Sequence, residues 1–430
     1  MTKTHLGSIA DIITGPFGSA LHQYEYVDEG VPVIMPQDIE NRNVSYEKIA
    51  HITLQKAEEL SRYAVIKNDI VYARRGDIEK HAFITSSTNG AICGTGCLRV
   101  RVKDTSVNPL FLSYYLDRPE TRKWIVSHAV GSNMPNLNTD ILSNIPVELP
   151  SKEEQDSIVS VLECIEKQID NNTTICFDLE TMAKLLYDYW FVQFDFPDEN
   201  GKPYKSSGGK MVWNEQLKRE IPVRWSVASF GDCIESINTG LNPRDNFVLN
   251  TGGTIKYLTV KNLTKEGTID FSSCDYVDES ARTIIHRRSD IQIGDVLFAS
   301  IAPLGRCYII MSPPTDWDIN ESVFSIRPNK ENMTSSFLYM SFTNDSFIKK
   351  AEGSSTGSVF KGIRIATLQG MQTLLPPKSI LDRFDEQVKP LFVRKALAIE
   401  ENQQLSSLRD FLLPMLMNGQ VKIFTESRNG

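Results

Sequence analysis

No apolar run in this 430-residue chain approaches the roughly 20 residues needed to span a bilayer. The opening stretch MTKTHLGSIADI also lacks the apolar segment of a signal peptide. A cytoplasmic protein with no membrane partner is therefore expected. Cysteine is sparse, odd in number and scattered, at Cys93, Cys97, Cys164, Cys176, Cys233, Cys274 and Cys307. That pattern suits reduced thiols and excludes a disulfide framework. Cys93 and Cys97 have no second Cys or His pair nearby, which argues against zinc. Histidine occurs six times without a Ser/His/Asp or Cys/His arrangement that could be argued.

Other chemistry is missing too. There is no glycine-rich loop after a strand for a methyl-donor cofactor, and no Asn/Asp-Pro-Pro-aromatic tetrapeptide for methylating an amino nitrogen. Asn108-Pro109-Leu110-Phe111 comes nearest, but it reads as a helix cap followed by proline. Asp69 and Asp295 have no second carboxylate at a spacing that would hold magnesium, and they read as turn residues. The expectation is a binding protein with no metal and no cofactor of its own.

What the chain does have is a duplication. Asn68-Asp69-Ile70-Val71-Tyr72-Ala73 matches Gly294-Asp295-Val296-Leu297-Phe298-Ala299 at an offset of 226 residues, and the same offset carries Phe111-Leu112 onto Phe337-Leu338 and Pro150 onto Pro376. Two similar modules are expected, over 1–150 and 225–376. Strands are predicted at 31–35, 69–73 and 97–102, with partners at 255–258, 295–299 and 322–326. Helices are predicted at 55–62, 108–128 and 335–350. This is an α+β composition, mixed α/β within each module, without the regular alternation of a doubly wound sheet.

The net charge of −8 is unevenly spread. Each module nets −2, with 15 basic against 17 acidic residues in the first and 14 against 16 in the second. The stretch 151–192 holds 3 basic against 9 acidic residues. Net charge therefore neither suggests nor excludes a nucleic-acid partner for the modules.

Over 151–192 the pattern changes. Ile158, Leu162, Ile165, Ile169, Asn172, Cys176, Leu179, Ala183, Leu186 and Trp190 alternate four and three apart, a coiled-coil seam with a polar Asn172 suited to fixing register. Over 377–420, Phe384, Val388, Leu391, Ala398, Asn402, Leu405 and Leu412 keep nearly the same rhythm. Lys395 and Arg409 interrupt it, and Pro390 predicts a kink or a fresh helix start. Two such helices leaving equivalent points of two modules are expected to pair antiparallel, giving an internal pseudo-twofold repeat. The stretch 193–224 reads as a linker or surface loop, and 421–430 as a tail.

Candidate binding residues sit in loops at matching positions. YARRGDIEKHAFI carries Arg74, Arg75 and Lys80, and ASIAPLGRCYII carries Arg306 at the place of Lys80. GSNMPNLNTD offers Asn133, Asn136 and Asn138, and its twin GSVFKGIRIA offers Lys361 and Arg364. Arginine and lysine suit guanine edges and phosphates, and asparagine suits adenine.

These are also the segments in which the chain resembles the specificity subunit of a type I restriction–modification enzyme. The resemblance rests on GDVLFASIAPLGR and its twin NDIVYARRGDIEK, and on GSNMPNLNTDILSNIPVELPSKEEQDSI. It also rests on LLYDYWFVQFDFP and LSSLRDFLLPMLMNGQV. It implies two target-recognition domains, each reading one half of a split double-stranded DNA sequence, with the helices as a spacer. It further implies two modification subunits, which hold S-adenosylmethionine and methylate adenine, and two restriction subunits as additional partners. The subunit itself would perform no chemistry. A specificity subunit of another restriction class with the same plan, and a protein-binding coiled-coil scaffold, are the alternatives.

Overall fold

The computed structural model describes residues 2–130, 135–354, 362–421 and 423. It divides into two compact units, one of residues 1–168 and 405–430, the other of residues 169–404.

In the first unit an antiparallel sheet has the order Ala10–Thr14, Cys97–Val102, Ile70–Ala73, His81–Phe83. A second, mixed sheet has the order Ile92–Cys93, Val31–Ile34, Ala50–Ile52, Tyr26–Val27. Thr2–His5 pairs with Pro146–Leu149 just before a long helix, Lys152–Tyr187. The second unit repeats this order. Its antiparallel sheet runs Ile234–Thr239, Val323–Pro328, Val296–Ala299, Cys307–Ile309. Its mixed sheet runs Asp275–Val277, Ile255–Leu258, Trp317–Ile319. Ser226–Ser229 pairs with Gln372–Leu375, and the long helix Lys378–Met417 follows.

The strand that carries the duplicated motif starts in the same way in both units. Asn68 and Gly294 both have positive φ, 75° and 94°, a conformation that asparagine and glycine tolerate best. The next residue, Asp69 or Asp295, is 1% exposed and accepts a hydrogen bond from the backbone N–H three residues earlier, of Ile66 or Gln292. Its carboxylate is then gripped by two arginine nitrogens from the neighbouring strand. Arg101 donates to Asp69 at 2.8 and 2.7 Å, and Arg327 to Asp295 at 2.8 and 2.9 Å. These aspartates do begin their strands from a turn, but each also anchors a buried, bidentate ion pair.

The long stretch expected as one helix over 108–128 is two, Pro109–Asp117 and Pro119–His128. Pro119 disfavours a helical conformation at Arg118, and the chain turns there. The twin stretch divides at Asn344, whose side chain accepts from the Ser346 N–H and caps Asp345–Gly353. The helix Lys378–Met417 runs through Pro390, so no fresh helix starts there. Pro390 lies on the exposed face, where water can satisfy the carbonyl that loses its donor.

Within the first unit, Ile158, Leu162 and Ile165 are buried, and Leu162 shares a core with Leu416 and Met417. Leu405 and Leu412 are half-buried. Within the second unit Asn172, Cys176, Ala183, Val388 and Ala398 are buried, and Ile169, Leu179, Leu186, Leu391 and Asn402 half-buried. The Asn402 amide donates to the Ile169 carbonyl, and Cys176 Sγ to the Lys395 carbonyl. Lys395, which broke the apolar rhythm, is 4% exposed and paired. Its Nζ donates to Glu180 Oε2 at 2.8 Å and to the Glu266 carbonyl at 2.7 Å, while Tyr339 donates to Glu180 Oε1.

The stretch 193–224 is structured. Met211–Asn214 and Arg219–Pro222 form a hairpin, and buried Phe194 and Phe196 pack on Trp225. Ser206 closes the turn through its N–H and hydroxyl on Asp195. All seven cysteines are free thiols, and burial pushes Cys93 up to about 12.

His81 sits where the second unit has Cys307, buried, hydrogen-bonded to Ser113 Oγ at 3.0 Å and packed on Tyr72. Burial pushes its pKa down from 6.5 to about 4. The neutral ring's contribution is therefore complete above pH 6.5 and lost as the pH falls towards 4. In denaturant titrations from pH 7 to 4, the first unit should lose roughly 3 kcal/mol more stability in the wild type than in His81→Cys, which carries its twin's residue. Equal losses would refute the assignment.

Candidate functional site

Each unit ends its duplicated strand in a loop, and each loop is tied to a second loop far along the chain. In the first unit, Arg75 bridges Asn136, the Leu137 N–H donates to the Arg74 carbonyl at 2.9 Å, and Arg74 Nε donates to Asn136 Oδ1 at 3.2 Å. The structure thus brings Arg74, Arg75 and Asn136 together. Arg75 is exposed, and Arg74 and Asn136 are half-buried. In the second unit, Ile301 bridges Gly362, and the Ile363 N–H donates to the Ser300 carbonyl at 2.8 Å. Both contacts repeat at the 226-residue offset. The backbone frame is the same, and the side chains it presents are not.

The other candidates fall into different roles. Asn138 caps the helix Thr139–Ser143 by accepting from the Ile141 N–H. Arg364 holds the equivalent cap position before Ile365–Gly370, makes no side-chain cap, and is exposed. Lys80 is exposed and paired with Asp77 at 2.6 Å. Its twin Arg306 turns inward and donates to the Leu263 carbonyl at 2.9 Å. Asn133 and Lys361 lie outside the described residues.

Sequence reasoning passed over the helix Glu279–Ser289, which carries Arg282, His286, Arg287 and Arg288. It follows the edge strand Asp275–Val277, as the shorter helix Leu54–Glu59 follows Ala50–Ile52 in the first unit. Ala281 and Ile285 are buried, and Ile285 packs with Ile255, Tyr257 and Val277. Ser289 Oγ donates to buried Asp318 at 2.6 Å, and His286 Nδ1 lies 3.1 Å from the same carboxylate. Burial raises the Asp318 pKa against the opposing effect of these hydrogen bonds. The signal available beforehand was the basic triplet 286–288 in an otherwise near-neutral module.

Among the described residues, no group of His, Cys, Asp and Glu side chains is assembled as a metal centre, and no helix is long and apolar enough to cross a membrane. Two copies of one scaffold, whose equivalent paired loops carry different residues, are the architecture of a duplicated recognition protein. The chain belongs to the family of type I restriction modification DNA specificity domains, whose model matches residues 1–181 and 222–390. It is 25% identical to the type I restriction enzyme MjaIX specificity subunit of Methanocaldococcus jannaschii, over 93% of this chain and 88% of that one. It is 21% identical to the HindI specificity subunit of Haemophilus influenzae, over 89% and 94%. The fold is similar to the crystal structure of the type I restriction–modification S subunit from M. genitalium, with a TM-score of 0.56 and 16% identity over 99% of this chain and 96% of that one. Proteins of this family are DNA-recognition subunits without catalytic activity of their own.

Removing the Asn136 side chain should free Arg74 without unfolding the unit. In Asn136→Ala, amide exchange at Leu137 should quicken at least several-fold while global stability changes by less than about 0.5 kcal/mol. Unchanged exchange would mean that the backbone pairing alone holds the loop.

Proposed function

We propose that this chain reads a split double-stranded DNA target, one block of bases per unit, and brings a methyltransferase to it. The observation that carries this reading is the conserved loop frame with divergent side chains. A frame repeated at the same offset is suited to the same kind of ligand, and different side chains on it are suited to different bases. Arg74, Arg75, Asn133, Asn136, Lys361 and Arg364 are the proposed contacts. Lys80 is a proposed phosphate contact once it leaves Asp77. Asn138 and Arg306 are given lesser roles, because each is already engaged with backbone.

The partners in this reading are two modification subunits, which hold S-adenosylmethionine and methylate adenine, and two restriction subunits that join them. This chain binds no cofactor, and the complex works in the cytoplasm. An exposed apolar stripe supports docking. Met182, Leu185, Tyr189 and Val192, four and three apart in sequence, are all solvent-exposed near the end of the first long helix. Such a stripe is unfavourable in water and suits a protein partner. A modification subunit is the proposed occupant.

The two long helices are proposed to pair as an antiparallel coiled coil that sets the length of the unread gap. The bonds from Asn402 to Ile169 and from Cys176 to Lys395 support opposite directions, since the residue numbers rise along one helix as they fall along the other. Adding one heptad to both helices lengthens the pair by about 10 Å. The gap between the two recognised blocks should then grow by about three base pairs, at roughly 3.4 Å each. Mapping the methylated target of the heptad variant checks this. A split target with an unchanged gap would refute the spacer, and a target that is not split would refute the two-block reading.

A further inference from the structure

Resting on the DNA reading above, we infer that the helix Glu279–Ser289 is the principal base-reading element of the second unit, with Arg287 and Arg288 as its specificity-determining residues. The first unit has no equivalent reader at the matching place.

The argument begins with the helix faces. Ser280, Thr283, Ile284, Arg287 and Arg288 are all exposed. Their spacing of three, four, seven and eight from Ser280 puts them on one face. The opposite face is locked. Ile285 is in the core, Ser289 is bonded to Asp318, Arg282 donates to the Pro314 carbonyl at 2.9 Å, and Asp278 caps the first turn by accepting from the Ala281 N–H. Arg327, already holding Asp295, also donates to the side chain and carbonyl of Asp290 just past the helix end. The outward face is therefore carried on a rigid support, which lowers the cost of ordering it on a ligand.

The two arginines are available. Arg287 makes no hydrogen bond or ion pair among the described residues, and Arg288 uses only Nε, on Thr239 Oγ1 at 3.2 Å. A guanidinium fork matches the paired acceptors of guanine, and an apolar side chain beside it suits the thymine methyl. Exposed Ile284, next to both on this face, is placed for that contact. An 11-residue helix is about 16 Å long, and helices of this kind fit the major groove, which is about 12 Å wide.

The matching helix in the first unit is built differently. Leu54–Glu59 has six residues, exposes Glu58 and Glu59, and ties its one cation, Lys56, to Glu25 at 2.8 Å and Glu59 at 3.2 Å. An acidic face repels phosphates. In the first unit the reading therefore falls to the loop with Arg74, Arg75 and Asn136, and in the second it falls to a helix.

The test uses the whole chain assembled with its modification subunits and a randomised DNA duplex library, from which bound sequences are recovered. The wild-type complex should yield a motif of two separated blocks. In the Arg287→Ala/Arg288→Ala variant one block should disappear and the other persist. The slope of log affinity against log salt should fall by at most about two contacts. Arg287→Lys/Arg288→Lys should keep the slope but lose the block, because an ammonium lacks the fork. Glu58→Ala/Glu59→Ala should keep both blocks. Retention of both blocks in the arginine variants, whether or not the slope falls, would overturn the inference. If the wild-type complex recovers no two-block motif, the DNA reading itself fails, which is a separate result. Melting curves matching the wild type would establish that the variants are folded.

Discussion

In each unit a buried aspartate at the start of the central strand is held on both oxygens by an arginine from the next strand. The pair, Asp69 with Arg101 and Asp295 with Arg327, locks the register of two strands and the turn before them. An unpaired charge at either place would cost several kcal/mol, so neither partner can change alone. Everything that follows the strand, including the loop that turns back to pair with 136 or 362, inherits its position from this point. Such a frame can tolerate almost any side chain on the outward loop residues.

That tolerance is what a recognition protein needs. The first unit has arginines and asparagine where the second has buried Ser300, half-buried Ile301 and Gly362, while the backbone bonds between the loops stay the same. The second unit has instead a longer, basic helix beside its sheet. Conserved backbone with variable surface reconciles a net acidic chain with a DNA-reading function, because affinity depends on local faces rather than total charge.

Much of this was legible in the sequence. The strands at 97–102 and 255–258 were found at their observed limits, since alternating or continuous apolar runs bounded by turns leave little ambiguity. The 226-residue offset marked both the frame and the loops, and the proline after each module marked the start of each long helix. What stayed hidden depended on contacts distant in the chain. Asp69 looked like a turn residue because Arg101 lies 32 residues away. Lys395 looked like a flaw because Glu180 lies on another helix. The hairpin at 211–222 was concealed by its polar composition, and its buried rings lie outside the two strands. The helix Glu279–Ser289 has only three buried residues, too few for its periodicity to stand out. The inward turn of Arg306 and the engagement of Asn138 as a cap likewise could not be read from residue type.

The central claim is that one chain, through two units, dictates which DNA sequence is modified. It is tested most directly by mapping methylated adenines across the genome in cells with and without this chain. The account expects one set of methylated adenines to vanish with the chain, all lying in a single asymmetric motif of two blocks separated by a fixed unread gap. An unchanged map, or a lost set that shares one continuous motif, would contradict it.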